Sequence, residues 1–348
     1  MSSLNDFIES FLLERGAIKV GFATRETLSG GPPSADLTYI LSGARSAISF
    51  ALPLDRDKIR AYLGKKNHLE HEQDNISANI KSSSLAKALA LELESRGFAA
   101  KRVHANLVYR HEVVGWELSM PPDLSHRYIA VRSGVGSYGW SGNVGMKDYG
   151  TAILLGTVVT EAELDPTDPV PSEESFCDNC RLCVGACASG MFSANRETSV
   201  TLGGVTFTHS ARKSYFLCQF VCGGFTGLHK SGKWSTWSPG RFDIPKKEDE
   251  LFPALAKAVE KYQRWPERKD GASGYENPAL KGANLRLTCA NCQIICWGNK
   301  EDTAANYKLL TSSGCVIQRP DGRIITMTPA EADKAFAAMS TEHQSLYR

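Results

Sequence analysis

At 348 residues, with 42% hydrophobic and 22% charged side chains, the chain has the composition of an ordinary folded protein with room for two or three domains. No apolar run reaches the roughly 18 to 20 residues that a membrane helix needs, so no membrane partner is expected. A net charge of +2 with histidines neutral gives no global pull toward nucleic acid.

The N-terminal stretch "MSSLNDFIESFLLERGAIKVGFA" places Leu4, Phe7, Ile8, Phe11 and Leu12 at helical spacing and has neither a basic leader region nor a twin arginine. It predicts a helix of the mature chain and a cytoplasmic protein. "IKVGFA" and "SAISFALPL" then read as buried strands. Apolar residues at Ile76, Ile80, Leu85, Leu89 and Leu93 predict a helix over 75–96, with Gly97 positioned to end it in the left-handed conformation. "AAKRVHA" is a further strand, and "TAILLGTVV" has the β-branched content of a central one. The pattern predicts an α/β (or α+β) domain over 1–165.

"ELDPTDPVPSEES" is a linker by composition, with three prolines and five acidic residues. From Phe176 to about Asn299 the chain is rich in Cys, Gly and Trp and poor in long periodic segments, apart from a helix near "ELFPALAKAVEKYQRW". Such a region is expected to need a bound cofactor. Thr328 and Pro329 read as the cap and first turn of a closing helix. The division is thus 1–165, then 166–320 with an insertion near 191–287, then 321–348.

Two stretches are locally basic. Arg56, Lys58, Arg60, Lys65 and Lys66 lie in one; Lys230, Lys233, Arg241, Lys246 and Lys247 alternate with Trp234 and Trp237 in the other. Solvated loops with inward aromatics are the expected reading, and an RNA-facing surface is the alternative. "HLEHE", with His68 and His71 beside Glu70 and Glu72, is expected to be a solvated turn. No glycine-rich phosphate loop of the GxGxxG kind opens a helix after a strand, so nicotinamide binding by that route is unsupported.

Ten cysteines without a secretion signal point to metal or redox chemistry, because a reducing cytosol keeps thiols free. "SFCDNCRLCVGACASG" carries Cys177, Cys180, Cys183 and Cys187 at C-x2-C-x2-C-x3-C. That is the bacterial ferredoxin spacing, in which three thiolates hold one 4Fe-4S cluster and the fourth crosses to a second. "TCANCQIICWGN" supplies Cys289, Cys292 and Cys296. Four and three make seven, one short of the eight that two clusters require. "SYFLCQFVCGG" offers Cys218 and Cys222 for the remainder. The expected sets are Cys177, Cys180, Cys183 and Cys296 for one cluster, and Cys187, Cys289, Cys292 and Cys218 for the other, with Cys222 as substitute. A pair of zinc sites is the competing reading, and Cys315 is expected to be a small buried hydrophobe.

An α/β domain followed by the full cysteine run, a distant thiol and C-x2-C-x3-C-W-x-N resembles the epoxyqueuosine reductases and their relatives, the reductive dehalogenases. "LSGARSAISFALPL" and "VRSGVGSYGWSGNVGMKDYG" resemble further stretches of that family, and the likeness spans about residues 5 to 310. The resemblance implies a corrinoid-type N-terminal domain, a ferredoxin-like double-cluster domain and a base-off cobalamin reduced by the clusters. By it, Arg132, Gly134, Gly139, Trp140, Gly142 and Asn143 would line the corrinoid. The proton-donating aspartate of the epoxyqueuosine reductases aligns with Met120, which leaves Asp123, three residues on, as the candidate. The tyrosine of the dehalogenases suggests Tyr128 or Tyr138, with Arg132 or Lys147 as basic partner.

A lysine expected after Gly142 and the helical-repeat extension that grips tRNA are both absent, and Ala188 stands where bacterial runs usually carry proline. The segment from Met191 to Leu287 is longer than the family leads one to expect. The reading is an iron-sulfur, cobalamin-associated reductase that removes oxygen or another leaving group from a small or RNA-borne substrate, tRNA modification being one such role. A low-potential ferredoxin or flavodoxin is the expected donor. The alternative is an electron-transfer or corrinoid-handling protein without its own substrate chemistry.

Overall fold

The computed structural model describes residues 3–105, 108–271, 275–276 and 284–348. Ser3 and Asp6 form a reciprocal capping box that starts helix α1 (Leu4–Leu13), which buries Ile8 and Leu12. Strands β1 (Lys19–Thr24), β2 (Ser46–Pro53), β3 (Ala100–Arg102) and β6 (Ile153–Thr160) make a sheet of order β1-β2-β6-β3, and every pair in it is antiparallel. The first domain is therefore of the α+β kind, and β6 lies inside the sheet as its composition predicts.

Strand β2 is buried from Ser46 through Leu52 because both faces of the sheet are covered. On one face α1 and α3 (Leu69–Ser95) pack Leu12, Leu85, Leu89 and Leu93 against Phe22, Phe50 and Val158. On the other, α5 (His126–Arg132) brings Ile129, Ala130 and Val131 onto Ala23, Ala47 and Val159. Between these helices lie α2 (Arg56–Leu63), the short α4 (Trp116–Ser119) and a small hairpin of β4 (Ser137–Tyr138) and β5 (Val144–Gly145).

Helix α3 begins earlier than its apolar periodicity predicts, and this corrects the expected solvated turn at 68–72. His68, His71 and Glu72 are buried. Tyr62 and Trp237 pack against the histidine rings. The Glu72 carboxylate accepts the Leu287 N–H at 2.9 Å, and His68 Nε2 lies 2.7 Å from the Leu287 carbonyl. These contacts tie the first domain to the segment entering Cys289.

The second half is built from short pieces. Helix α6 (Leu182–Gly185) follows the first cysteines. A long hairpin of β7 (Phe192–Leu202) and β8 (Val205–Arg212) then runs back to the first domain, where Leu202 buries among Leu28, Ala35 and Leu37. Helices α7 (Tyr215–Cys222) and α8 (Glu248–Tyr262) follow. The pairing of β9 (Tyr275–Glu276) with β10 (Asn284–Leu285) comes next; the rest of the expected insertion at 272–274 and 277–283 lies outside the described residues.

Helix α9 (Asn291–Ile294) holds Cys292, and α10 (Lys300–Thr311) follows it. The hairpin of β11 (Cys315–Gln318) and β12 (Ile324–Met327) crosses the expected boundary at residue 320 and buries Cys315. Thr328 caps α11 (Pro329–Ala337) through a second capping box, with Pro329 in its first turn. Trp234 and Trp237 are buried, so the aromatics of the second basic stretch do point inward.

Candidate functional site

The cysteine run needs a tight path to bring its thiols together. Asn179 and Arg181 both adopt the left-handed conformation, each at φ 57°, and the Cys180 N–H turns back onto the Asp178 carboxylate at 3.1 Å. Cys183 then leaves on α6, Cys187 follows it, and α6 packs against α9, which carries Cys292. Cys218 and Cys222 sit one turn apart on α7.

The thiols sort by which of them act on one another. Burial pushes Cys183 up to about 12, and Cys177, Cys292, Cys180 and Cys296 add to it. Burial raises Cys180 to about 11, with Asp178 and Cys296 contributing. Cys296 is raised by burial and then by Cys177. One cavity wall contains Cys177, Cys180, Cys183 and Cys296, with Gly139 and Phe176 beside them. On the other side burial pushes Cys292 up to about 12, aided by Cys218 and Cys187. Cys289 is raised by burial and by Cys292, Cys218 and Cys187. Cys218 is raised by its contact with Cys222 and by burial. One cavity wall thus carries Cys177, Cys180, Cys183 and Cys296, while Cys187, Cys218, Cys289 and Cys292 influence one another, and Cys292 also acts on Cys183.

Among the described residues no three Cys, His, Asp or Glu side chains converge as ligands of one ion. A tetrahedral zinc at about 2.3 Å from each sulfur would draw four thiolates to within about 4 Å of one another. Soft thiolates are the donors that an iron-sulfide cube takes, and its corners need not be as close together as the ligands of one ion. Thiols such as Cys183 and Cys292 become ligands when a metal's positive charge enters with them.

The turn after β4 is built against these sulfurs. The Trp140 N–H points at Cys177 Sγ at 3.3 Å, and the Trp140 indole donates to the Ser193 carbonyl at 3.0 Å. Arg181 stacks on the Trp140 ring at 4.2 Å. Asn143 Nδ2 donates to the Cys292 carbonyl at 3.1 Å and favours that residue's thiolate.

The faces that a corrinoid would need at the named residues are filled by the chain itself. A Cβ at Gly139 would meet the Phe176 ring at 2.9 Å; at Gly142, left-handed at φ +71°, it would meet Arg212 Nη2 at 2.8 Å and His209 Nδ1 at 2.9 Å. Gly134 backs onto the Asp168 carbonyl. Arg132 is buried near Asp168, with Nε and Nη1 lacking hydrogen-bond partners. As arranged, Gly134, Gly139 and Gly142 offer no open face to the edge of a macrocycle, and no chemical step is derived through one.

Asp123 and Tyr128 lie apart. Asp123 is buried at the β3 edge of the sheet, in the wall of an open cavity with Tyr39, Lys87, Arg102 and His104. Burial raises its carboxyl, and Oδ1 accepts the Leu124 N–H at 2.7 Å. Met120, left-handed at φ 45°, instead points its sulfur toward Gln219 on α7. Tyr128 is raised mainly by burial, and Tyr138 more strongly so, with its hydroxyl unpartnered.

Sequence reasoning passed over a polar group at the start of α7, the helix that carries Cys218. Arg212 Nη1 donates to the Tyr215 hydroxyl at 2.6 Å, and Arg127 Nη2 lies 3.4 Å from the same oxygen. Burial alone would raise this phenol, but Arg127 and Arg212 hold it below the usual tyrosine range. "ARKSYFLC" shows Arg212 and Tyr215 just ahead of Cys218, which was the available signal.

No protein-family model matches this chain, and no curated protein matches it. Solved structures do match. An epoxyqueuosine reductase from Streptococcus thermophilus is 19% identical over 55% of this chain and 54% of its own, with a TM-score of 0.36. One from Bacillus subtilis is 16% identical over 99% of this chain and 75% of its own, at 0.43. A catabolic reductive dehalogenase in complex with 3-bromo-4-hydroxybenzoic acid is 13% identical over 98% of this chain and 37% of its own, at 0.49. The chain spans about half the length of the first epoxyqueuosine reductases it matches, at 52% and 54%.

Proposed function

We propose that this chain is an iron-sulfur oxidoreductase with two 4Fe-4S clusters, one on Cys177, Cys180, Cys183 and Cys296 and the other on Cys187, Cys218, Cys289 and Cys292. It takes single electrons from a low-potential ferredoxin or flavodoxin in a reducing, cytoplasmic setting. It delivers them to a small or RNA-borne substrate that loses oxygen or another leaving group. The observation that carries this reading is the gathering of Cys177, Cys180, Cys183 and Cys296 in one cavity wall, beside the mutual influence of Cys187, Cys218, Cys289 and Cys292. Cys218, and not Cys222, acts on Cys289 and Cys292, which favours Cys218 as the eighth ligand.

A second reading is an electron-transfer protein without its own substrate chemistry. It is favoured by the filled faces at Gly139 and Gly142, which leave those two glycines no opening for a macrocycle.

Anaerobic reconstitution tests the first claim. About eight irons and eight sulfides per chain are expected for two full clusters; zinc, or about four irons or fewer, overturns it. Titration of that material with cobalamin then separates the two readings: a base-off visible shift supports a corrinoid-using reductase, and an unchanged spectrum supports a relay that works without one.

A further inference from the structure

A partly enclosed cavity of about 120 Å³ lies among Gly224, Tyr262, Trp265, Arg268, Arg286 and Thr288, and no cysteine lines it. Its volume is close to the roughly 150 Å³ that takes in a benzene ring, so it suits a group of a few heavy atoms. The Tyr262 and Trp265 rings, with centroids 4.6 Å apart, give it an aromatic side. Gly224, left-handed at φ +83°, leaves room on that side, since a Cβ there would stand 3.5 Å from Thr288 and 3.6 Å from Tyr262.

Two guanidiniums reach this cavity, and they are not equally satisfied. Arg268 is held: its side chain is 7% exposed, Nε and Nη2 pair with the Asp270 carboxylate, and Nη1 donates to the Trp237 carbonyl at 3.2 Å. Arg286 differs, because its Nη1 is buried without a hydrogen-bond partner among the described residues. Two further carboxylates stand near, Glu72 and the exposed Glu267, and among the described residues neither forms an ion pair with Arg286. The Arg286 backbone N–H donates to the Tyr262 oxygen, which leaves the phenol's own proton for another acceptor.

A guanidinium stays charged at any working pH, and a buried one without a partner carries a standing cost that an anion removes. One unanswered positive charge calls for one negative charge. A carboxylate supplies it with two acceptor oxygens, enough for Arg286 and for the Tyr262 hydroxyl, and a short apolar body would rest on the aromatic side. Phosphate would bring a second charge that no free cation of this wall balances. We propose that this cavity is a binding site for a small monocarboxylate, held by Arg286 and Tyr262 beside the segment that enters Cys289. None of the residues that hold it belongs to either cysteine set, so the site stands whether or not the chain carries clusters.

Isothermal titration calorimetry on the anaerobically purified full chain, at constant ionic strength, tests this with propionate, its neutral amide propionamide, and inorganic phosphate. Propionate should bind saturably at one site, and propionamide should not. Arg286→Gln should weaken propionate by at least about tenfold, as expected for the loss of a charge-assisted hydrogen bond. Arg286→Lys should recover part of that loss, and Tyr262→Phe should weaken binding by less than Arg286→Gln. Thermal melts show which variants fold; if Arg286→Gln does not, Arg286→Lys and Tyr262→Phe carry the comparison. Absence of saturable propionate binding, equal binding of the amide, tighter binding of phosphate, or full affinity in the folded Arg286 and Tyr262 variants overturns the proposal.

Discussion

The sheet and the cysteine half are held together by different physics. Strand β2 is buried on both faces, and Phe50, Ile48 and Leu89 have no exposed surface. That is an apolar core of the kind that folds unaided. The cysteine half relies on α6 and α9, four residues each, far below the roughly 12 to 15 residues at which a helix persists alone. One of its cores, Phe220, Phe225, Leu251, Leu255 and Ala258, lies on α7 and α8 and the turn that follows α7, and another sets Ala186, Ile294, Ile295 and Trp297 beside Cys183 and Cys296 together with Tyr62 and Leu63 of α2. The difference teaches that the short elements carrying the thiols borrow their apolar support from neighbours, so that what the thiols bind adds to their stability.

The largest expected effect follows directly. Stripping iron anaerobically with a chelator should open the region between Phe176 and Asn299 to protease while a fragment spanning 3–165 stays protected. Limited proteolysis with mass spectrometry reads this. Uniform protection, or uniform loss, would erase the contrast between the two halves.

Next in size is the choice between the two thiols of α7. Cys218→Ser should cut bound iron from about eight to about four, whereas Cys222→Ser should leave about eight. Iron and sulfide assays decide it, and the reverse result would hand the ligand role to Cys222. In the sheet, Phe50→Ala should cost about 3–5 kcal/mol, seen as a lower urea midpoint, with iron content unchanged in the folded protein. Loss of iron in step with the sheet would mean that the halves do not stand separately.

How much of this was legible in the sequence varies by physical cause. The sheet strands, α1 and the Thr328 cap announce themselves because periodicity and capping are local. The short intervals of the ferredoxin spacing place Cys177, Cys180 and Cys183 close along the chain, and they line one cavity. The β7–β8 hairpin was not expected although "VTLGGVTFT" has a Gly-Gly turn between alternating strands. His68, His71 and Glu72 were misjudged because their burial comes from Tyr62, Trp237 and Leu287, which are distant in sequence or on other elements. No local pattern records a partner more than two hundred residues away. The Arg127 to Tyr215 contact was hidden for the same reason.

That buried joint gives the smallest and most selective prediction. Burial lowers His71 from its ordinary 6.5 to about 4, although the carboxylates of Asp74 and Asp55 pull the other way. Neither of its ring nitrogens has a hydrogen-bond partner. The unfolded chain takes a proton on this residue below about pH 6.5, and the folded chain does so only near pH 4. Its contribution is therefore fully present above pH 6.5 and is lost as pH falls, by up to about 1.4 kcal/mol per unit. His71→Phe keeps a ring against Tyr62, whose centroid is 4.8 Å away, and removes that proton. Urea midpoints at pH 7.0, 6.0 and 5.0 should show the variant gaining on wild type steadily as the solution is acidified. Parallel curves would mean that His71 reaches water or a proton partner in the folded chain, and that α3 meets Leu287 through a wet contact in place of a dry one.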